Sequence, residues 1–206
     1  MDPAIEFIAV AASALYGILR GLRCNFDIVG LLSVAAATAF GGGTLRDVFL
    51  DRTPLFWIEK EYLLWVALGL AAVSAVAPRK IARIEPWLVW PDALGLGFFT
   101  VAGAVVALDA GMTPLVAAVM GVITGTFGSV ICDVICNETP NLFRTSPLCA
   151  TCALLGAIVY LTGHAVGVPA AVSQPSAIAA AATLRILAVW RNWTVPVRSL
   201  AQVGSA

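Results

Sequence analysis

Three ionisable side chains stand inside runs that are otherwise apolar: Arg46, Asp47 and Asp133. A charge near the centre of a bilayer costs about 2.5–3.5 kcal/mol on insertion scales, so such groups face a watery cavity or a partner. Small residues and hydroxyls precede each of them. Gly41, Gly42, Gly43 and Thr44 lead into Arg46 and Asp47, while Thr124, Gly125, Thr126, Gly128 and Ser129 lead into Asp133. One glycine inside a helix costs about 1 kcal/mol relative to alanine, so three in succession are expected to weaken or bend it. Carbonyls freed at a bend can coordinate a cation, and Thr and Ser hydroxyls can replace part of its hydration shell. Asp47 follows Gly43 by four residues and Asp133 follows Ser129 by four, so each carboxylate lies one turn from the small residues. Together these residues point to an ion pathway. Arg46 and Asp133, opposite in sign, are expected to pair. Gly17, Gly21 and Gly121 fit a different use, because small residues at four-residue spacing let helices pack closely.

The elements that must position these groups follow from composition. Of the 206 residues, 60% are hydrophobic and only 12% are charged, with a net charge of zero. A soluble domain of this size carries about 25% charged residues, so the surface here must face lipid. The zero net charge and the lack of a basic run exclude a nucleic-acid partner. A spanning helix needs about 20 mostly apolar residues, and about seven runs qualify: 4–22, 28–50, 61–77, 91–108, 114–136, 147–163 and 168–189. They are helices because only a helix satisfies its own backbone groups in hydrocarbon. Residues 4–22 read as a retained first helix. Asp2 and Glu6 stand where a signal peptide would be basic, and Arg20 and Arg23 come after the apolar run.

Alternating the seven spans collects Arg20, Arg23, Arg79, Lys80, Arg83, Arg144, Arg185, Arg191 and Arg198 on one side, against Arg46, Arg52 and Lys60 on the other. The basic side is expected to be cytoplasmic, with the N-terminus outside and the C-terminus inside. The chain is thus expected to be a multi-pass protein of the cell inner (plasma) membrane. Trp57, Trp65, Trp87, Trp90, Trp190 and Trp193 are expected at the membrane interfaces. His164 reads as a surface residue in an outer loop. The odd number of cysteines, Cys24, Cys132, Cys136, Cys149 and Cys152, argues against a disulfide framework.

The chain also repeats. A slide of 86 residues places Gly17 on Gly103, Thr38 on Thr124, Gly42 on Gly128, Asp47 on Asp133 and Thr53-Pro54 on Thr139-Pro140. Each copy holds three spans, and an odd number turns the second copy over. The expected fold is therefore an all-α integral membrane protein, a single transmembrane domain over 1–206. It comprises two inverted three-helix repeats, at about 4–77 and 91–163, plus a seventh helix at about 168–189. Inverted repeats with corresponding interrupted helices are typical of proteins that move solutes.

The segments GGGTLRD, Gly41 to Asp47, and GSVICD, Gly128 to Asp133, resemble the prokaryotic members of the trimeric intracellular cation channel family, also classified as a glycine transporter domain. The resemblance covers roughly residues 5–190. It implies a homotrimer whose every protomer has a pore between the second and fifth spans, bent at Gly41, Gly42, Gly43, Gly125 and Gly128. It implies potassium, with some sodium, as the permeant ions and no cofactor beyond them. Two departures stand out: Ser129 matches Gly43, and Cys132 matches Arg46, so the halves are electrically unequal. The Lys-Glu-Val motif of the animal members is absent.

The leading expectation is a passive monovalent cation channel, not an enzyme, with membrane lipid around it. The alternative is a secondary carrier of a small neutral or zwitterionic solute such as glycine, because broken helices and inverted repeats suit both. A third reading uses Cys149-x-x-Cys152 for redox chemistry. No metal-ligand spacing stands out.

Overall fold

The computed structural model describes residues 3–78, 81, 83, 87, 89–143 and 148–194. Arg79, Lys80, Arg144 and Arg198, which entered the charge count, lie outside the described residues. Among the described residues, seven long helices correspond to the seven expected spans: α1 (Pro3–Arg23), α2 (Ile28–Phe49), α4 (Tyr62–Val76), α5 (Val89–Asp109), α6 (Pro114–Ile135), α7 (Ala150–Ala165) and α8 (Ala170–Trp190). A short helix α3 (Phe56–Glu59) lies between α2 and α4, and a single 3-10 turn, Asn141–Phe143, follows α6. Among the described residues there is no strand. The protein is an all-α integral membrane protein. Helices α2, α5, α6 and α8 are each long and apolar enough to cross a membrane alone. At 1.5 Å per residue, the 15 residues of α4 rise only about 22 Å, short of a hydrocarbon core of about 30 Å.

Local chemistry repeats with the chain. Asp27 caps α2 by accepting from the Gly30 amide at 2.8 Å, and 86 residues on Thr113 caps α6 by accepting from the Val116 amide at 3.4 Å. A side-chain oxygen at this position satisfies one of the helix's orphan N–H groups. The C-termini match as well. Asp51 and Asn137 take φ of 50° and 56°, and the next amides, Arg52 and Glu138, bond back to the Asp47 and Asp133 carbonyls at 2.8 and 2.9 Å. This is the left-handed helix stop that closes the last free carbonyls. Asn25 and Gly111 make a second matched pair, at φ 55° and 76°.

Packing follows the same symmetry. Helix α1 packs on α2 and α4, α5 packs on α6 and α7, and α8 covers α5 and α7. The two halves meet where α2 crosses α6. In each half a glycine admits its neighbour's backbone. A Cβ on Gly17 would stand 2.8 Å from the Val34 carbonyl, and one on Gly103 would stand 2.7 Å from that of Met120. At the crossing, a Cβ on Gly42 would overlap the Thr124 carbonyl oxygen, and one on Gly128 would overlap that of Thr38. These contacts relate residues 38 and 42 to 124 and 128 by an approximate two-fold axis. Helices in lipid lack a hydrophobic drive to associate, so such close approach supplies the packing energy.

The expected interruption at Gly41 to Gly43 is not a break. Both α2 and α6 run as unbroken α-helices through their glycines. The glycines serve the neighbouring helix: their missing side chains make room for carbonyls, so the backbone keeps its own hydrogen bonds. We expect Gly42→Ala or Gly128→Ala to destabilise the detergent-solubilised protein by about 1–3 kcal/mol through overpacking. Gly69→Ala, where a Cβ would meet nothing within 4 Å, should not, and thermal melting of the three variants checks the contrast.

Candidate permeation site

One cavity opens towards an end of the bundle and a second sits at the crossing itself. We call the end of the bundle at which α1 begins the near end and the opposite one the far end. The near-end cavity, about 160 Å³, is lined by Glu6, Arg46, Arg52, Phe56, Lys60, Phe99 and Asp109 among others. A wider depression of about 450 Å³ shares Arg52, Val106 and Asp109 with it. The second cavity lies at the crossing itself, lined by Ser13, Tyr16, Thr38, Gly42, Asp92, Phe99, Thr124, Gly125, Gly128 and Ser129 among others. Its volume of about 20 Å³ holds roughly one water. Phe99 lines both cavities.

The hydroxyls at the crossing already donate along their own helices. Thr38 bonds to the Val34 carbonyl and Thr124 to that of Met120, both at 2.6 Å, and Ser129 bonds to that of Thr126 at 2.8 Å. With their protons so engaged, these oxygens keep lone pairs to offer an approaching cation. Thr126 is buried, with its hydroxyl bonded to the Val122 carbonyl at 2.7 Å, and Thr44 accepts from the Trp57 indole N–H at 3.0 Å. Neither lines either cavity. Gly41 faces Ile131, Gly21 faces Val34 and Gly121 faces the Thr100 carbonyl.

The two sequence-marked carboxylates are loop clamps. Asp47 is fully buried; one oxygen accepts from the Arg46 guanidinium at 2.7 and 2.9 Å, and the other from the Phe56 amide at 2.8 Å. Asp133, also buried, accepts from Arg20 at 2.9 Å and from the Asn141 amide at 3.0 Å. Each ties the loop beyond its helix back onto that helix. The expected Arg46–Asp133 pair is therefore corrected. Arg46 and Asp133 lie at opposite ends of the bundle, because the inverted repeat sends the last turns of α2 and α6 to opposite faces.

The sequence departures between the halves acquire a structural reason. Gly43 makes room for the Phe56 ring, over which Arg46 lies at 5.3 Å from the centroid. Its counterpart Ser129 has a side chain, and Phe143 stays exposed. Cys132 replaces Arg46, and Arg20 reaches across from α1 to supply the missing cation, bridging Asp133 and Glu138 at 2.9 and 2.6 Å. The residue matched to Arg20 is Val106, which lines the open near-end cavity.

Sequence reasoning missed two acidic residues. Glu6, in the first turn of α1, pairs with Lys60 at 2.5 Å. Asp92, in the first turn of α5, pairs with Arg185 at 2.9 Å. They are 86 residues apart and each lines one cavity, so the repeat offset applied to Glu6 finds Asp92. The described cations also segregate by end. Arg20 and Arg185 hold carboxylates at the far end, whereas Arg46, Arg52 and Lys60 do so at the near end. Trp65, Trp87, Trp90, Trp190 and Trp193 are exposed, as a lipid-facing belt requires, but Trp57 is held inward by Thr44. His164 stands in the last turn of α7 against the Tyr160 ring, not in a loop. Cys149 and Cys152 are unbridged, with the Cys152 thiol donating to the Leu148 carbonyl.

A bundle of seven helices that brings two inverted halves together on glycines, with paired charges at both ends, defines a polytopic membrane protein of duplicated design. The family described as Glycine transporter matches residues 4–79 and 89–165, and the chain belongs to that family. Curated relatives carry the family number UPF0126. A membrane protein of Vibrio cholerae is 34% identical over 197 residues, covering 95% of this chain and 82% of that one. The inner membrane protein YadS of Escherichia coli is 32% identical over 202 residues, covering 97% of each. Two solved structures, both of TRIC cation channels, share the fold. One has a TM-score of 0.89 at 28% identity, covering 97% of this chain and 98% of that one. The other, an orthologue from Rhodobacter sphaeroides, has a TM-score of 0.83 at 34% identity, covering 92% and 97%. The match to the prokaryotic trimeric intracellular cation channel family extends across the whole bundle.

Breaking a buried pair by removing one partner costs about 3–5 kcal/mol, because the remaining charge is left uncompensated. Asp133→Asn, which leaves Arg20 only the more exposed Glu138, should therefore lower the melting temperature of the purified protein. Combining it with Arg20→Met should recover part of the loss. A double variant no more stable than the single one would mean the pair contributes nothing.

Proposed function

We propose that the protein is a passive channel for monovalent cations, mainly potassium, with one pathway in each protomer of a homotrimer. The observation that carries this reading is the polar crossing of α2 and α6, which encloses a small cavity beside Asp92 next to a larger near-end cavity of mixed charge, in a lipid-facing bundle. The likeness to solved cation channels, at 28% and 34% identity along nearly the whole chain, supports it. An ion would enter past Glu6 and Asp109, meet Phe99, and pass the Thr38, Thr124 and Ser129 oxygens towards Asp92. Asp47 and Asp133 act on the pathway by holding the ends of its two helices. With room for about one water at the crossing, the structure corresponds to a closed state. Membrane lipid surrounds the trimer. The far end, richer in Arg, faces the cytoplasm, which places the N-terminus outside and the C-terminus inside an inner membrane.

The same constriction favours a second reading, a carrier for a small zwitterion such as glycine, since a narrow crossing between inverted repeats also suits alternating access. Planar-bilayer recording under a potassium gradient separates the two. Unitary steps reversing at the potassium potential are expected. A silent bilayer, together with saturable glycine exchange in liposomes, would overturn the channel in favour of the carrier.

Asp92→Asn makes a finer test. The variant removes the carboxylate that Arg185 bonds at 2.9 Å, so the charge beside the pathway becomes one unit more positive, which disfavours cations. Unitary potassium current should fall and cation-over-anion preference should weaken. Unchanged current and reversal potential would remove Asp92 from the pathway.

A further inference from the structure

We propose that Cys24 and Cys136 form a dithiol at the far end of the bundle, which a peroxide closes to a disulfide that staples α1 to α6. The placement follows from the Arg20–Asp133 pair, where the α1 guanidinium reaches the α6 carboxylate at 2.9 Å and the two helices pack together. Cys24 lies four residues beyond Arg20 and Cys136 three residues beyond Asp133, and the Cys24 and Cys136 amides still bond back to the Arg20 and Cys132 carbonyls, so both thiols stand one turn further along the same two facing sides. Both are unbridged and half-buried, at the far end of the bundle. Cys132, one turn back on α6, is fully buried, so the reachable pair is Cys24 with Cys136.

The chemistry balances with a peroxide as oxidant. One thiolate attacks a peroxide oxygen, the O–O bond breaks, a sulfenic acid forms, and the first water leaves with the thiol proton. The second thiolate then attacks the sulfenic sulfur, the S–S bond forms, the S–O bond breaks, and a second water leaves. Two thiols lose two electrons and the peroxide gains them. The link ties the turn after α1 to the end of α6, the helix that carries Thr124 to Ser129 onto α2. The expected loss of current rests on the channel reading; the cross-link does not.

The test treats the full-length protein in liposomes with hydrogen peroxide, followed by peptide mapping without reductant and by bilayer recording. The expected result is loss of two hydrogens per protomer and a single Cys24–Cys136 linked peptide, absent from Cys24→Ser and Cys136→Ser. The same peptide should form in a variant with Cys149→Ser and Cys152→Ser. Potassium current should disappear on oxidation and return with dithiothreitol, while the Cys24→Ser protein stays conducting throughout. Recovery of both cysteines as separate thiols or sulfinic acids, or linked between protomers or to Cys132, overturns the dithiol. A Cys24–Cys136 link that leaves current intact overturns the staple. A linked peptide in protein that was silent before oxidation supports the dithiol and counts against the channel reading alone.

Discussion

The structure depends on a backbone-to-backbone contact. The Thr38 and Thr124 carbonyls press against Gly128 and Gly42, and no residue with a Cβ fits at either place. In lipid, helices gain nothing by hiding apolar surface from one another, so the distance at which two backbones can meet decides whether they associate. That approach sets the position of both halves. It also leaves only a narrow space between them, with a larger cavity opening at the near end.

Charge is handled by pairing. Arg46 and Asp47, Arg20 and Asp133, Glu6 and Lys60, and Asp92 and Arg185 all form short ion pairs at the ends of the bundle. A lone charge at these depths would cost far more than its pair. The pairs also do structural work, since Asp47 and Asp133 each take a loop amide on the second oxygen. The repeats reach this common outcome by different routes. One half uses the neighbouring Arg46, and the other borrows Arg20 from a different helix. An inverted repeat needs only the same arrangement of charge at each end, not the same residue in each copy.

Function follows from what the pairs leave open. In the proposed channel, a pathway between neutralised mouths would carry no deep electrostatic trap, so a cation could enter and still leave. Its narrowest part would be the carbonyl-packed crossing beside the Phe99 ring. The far-end meeting of α1 and α6 is the place where the proposed covalent tie would act.

The sequence by itself determined the class of fold. Scarcity of charge, spacing of apolar runs and the 86-residue offset are local or periodic properties, and they yielded the seven helices and the inversion. The glycines and hydroxyls of the crossing were legible for the same reason. Tertiary structure alone decided what the charges do. Arg46 and Asp133 looked like partners because both lie near the ends of the crossing helices, yet inversion carries those ends to opposite faces. The partners of Asp92 and Arg20 became visible only when helices distant in sequence were packed together. A charge's partner is set by three-dimensional distance, and no periodicity along one helix encodes which side chain of another will reach it.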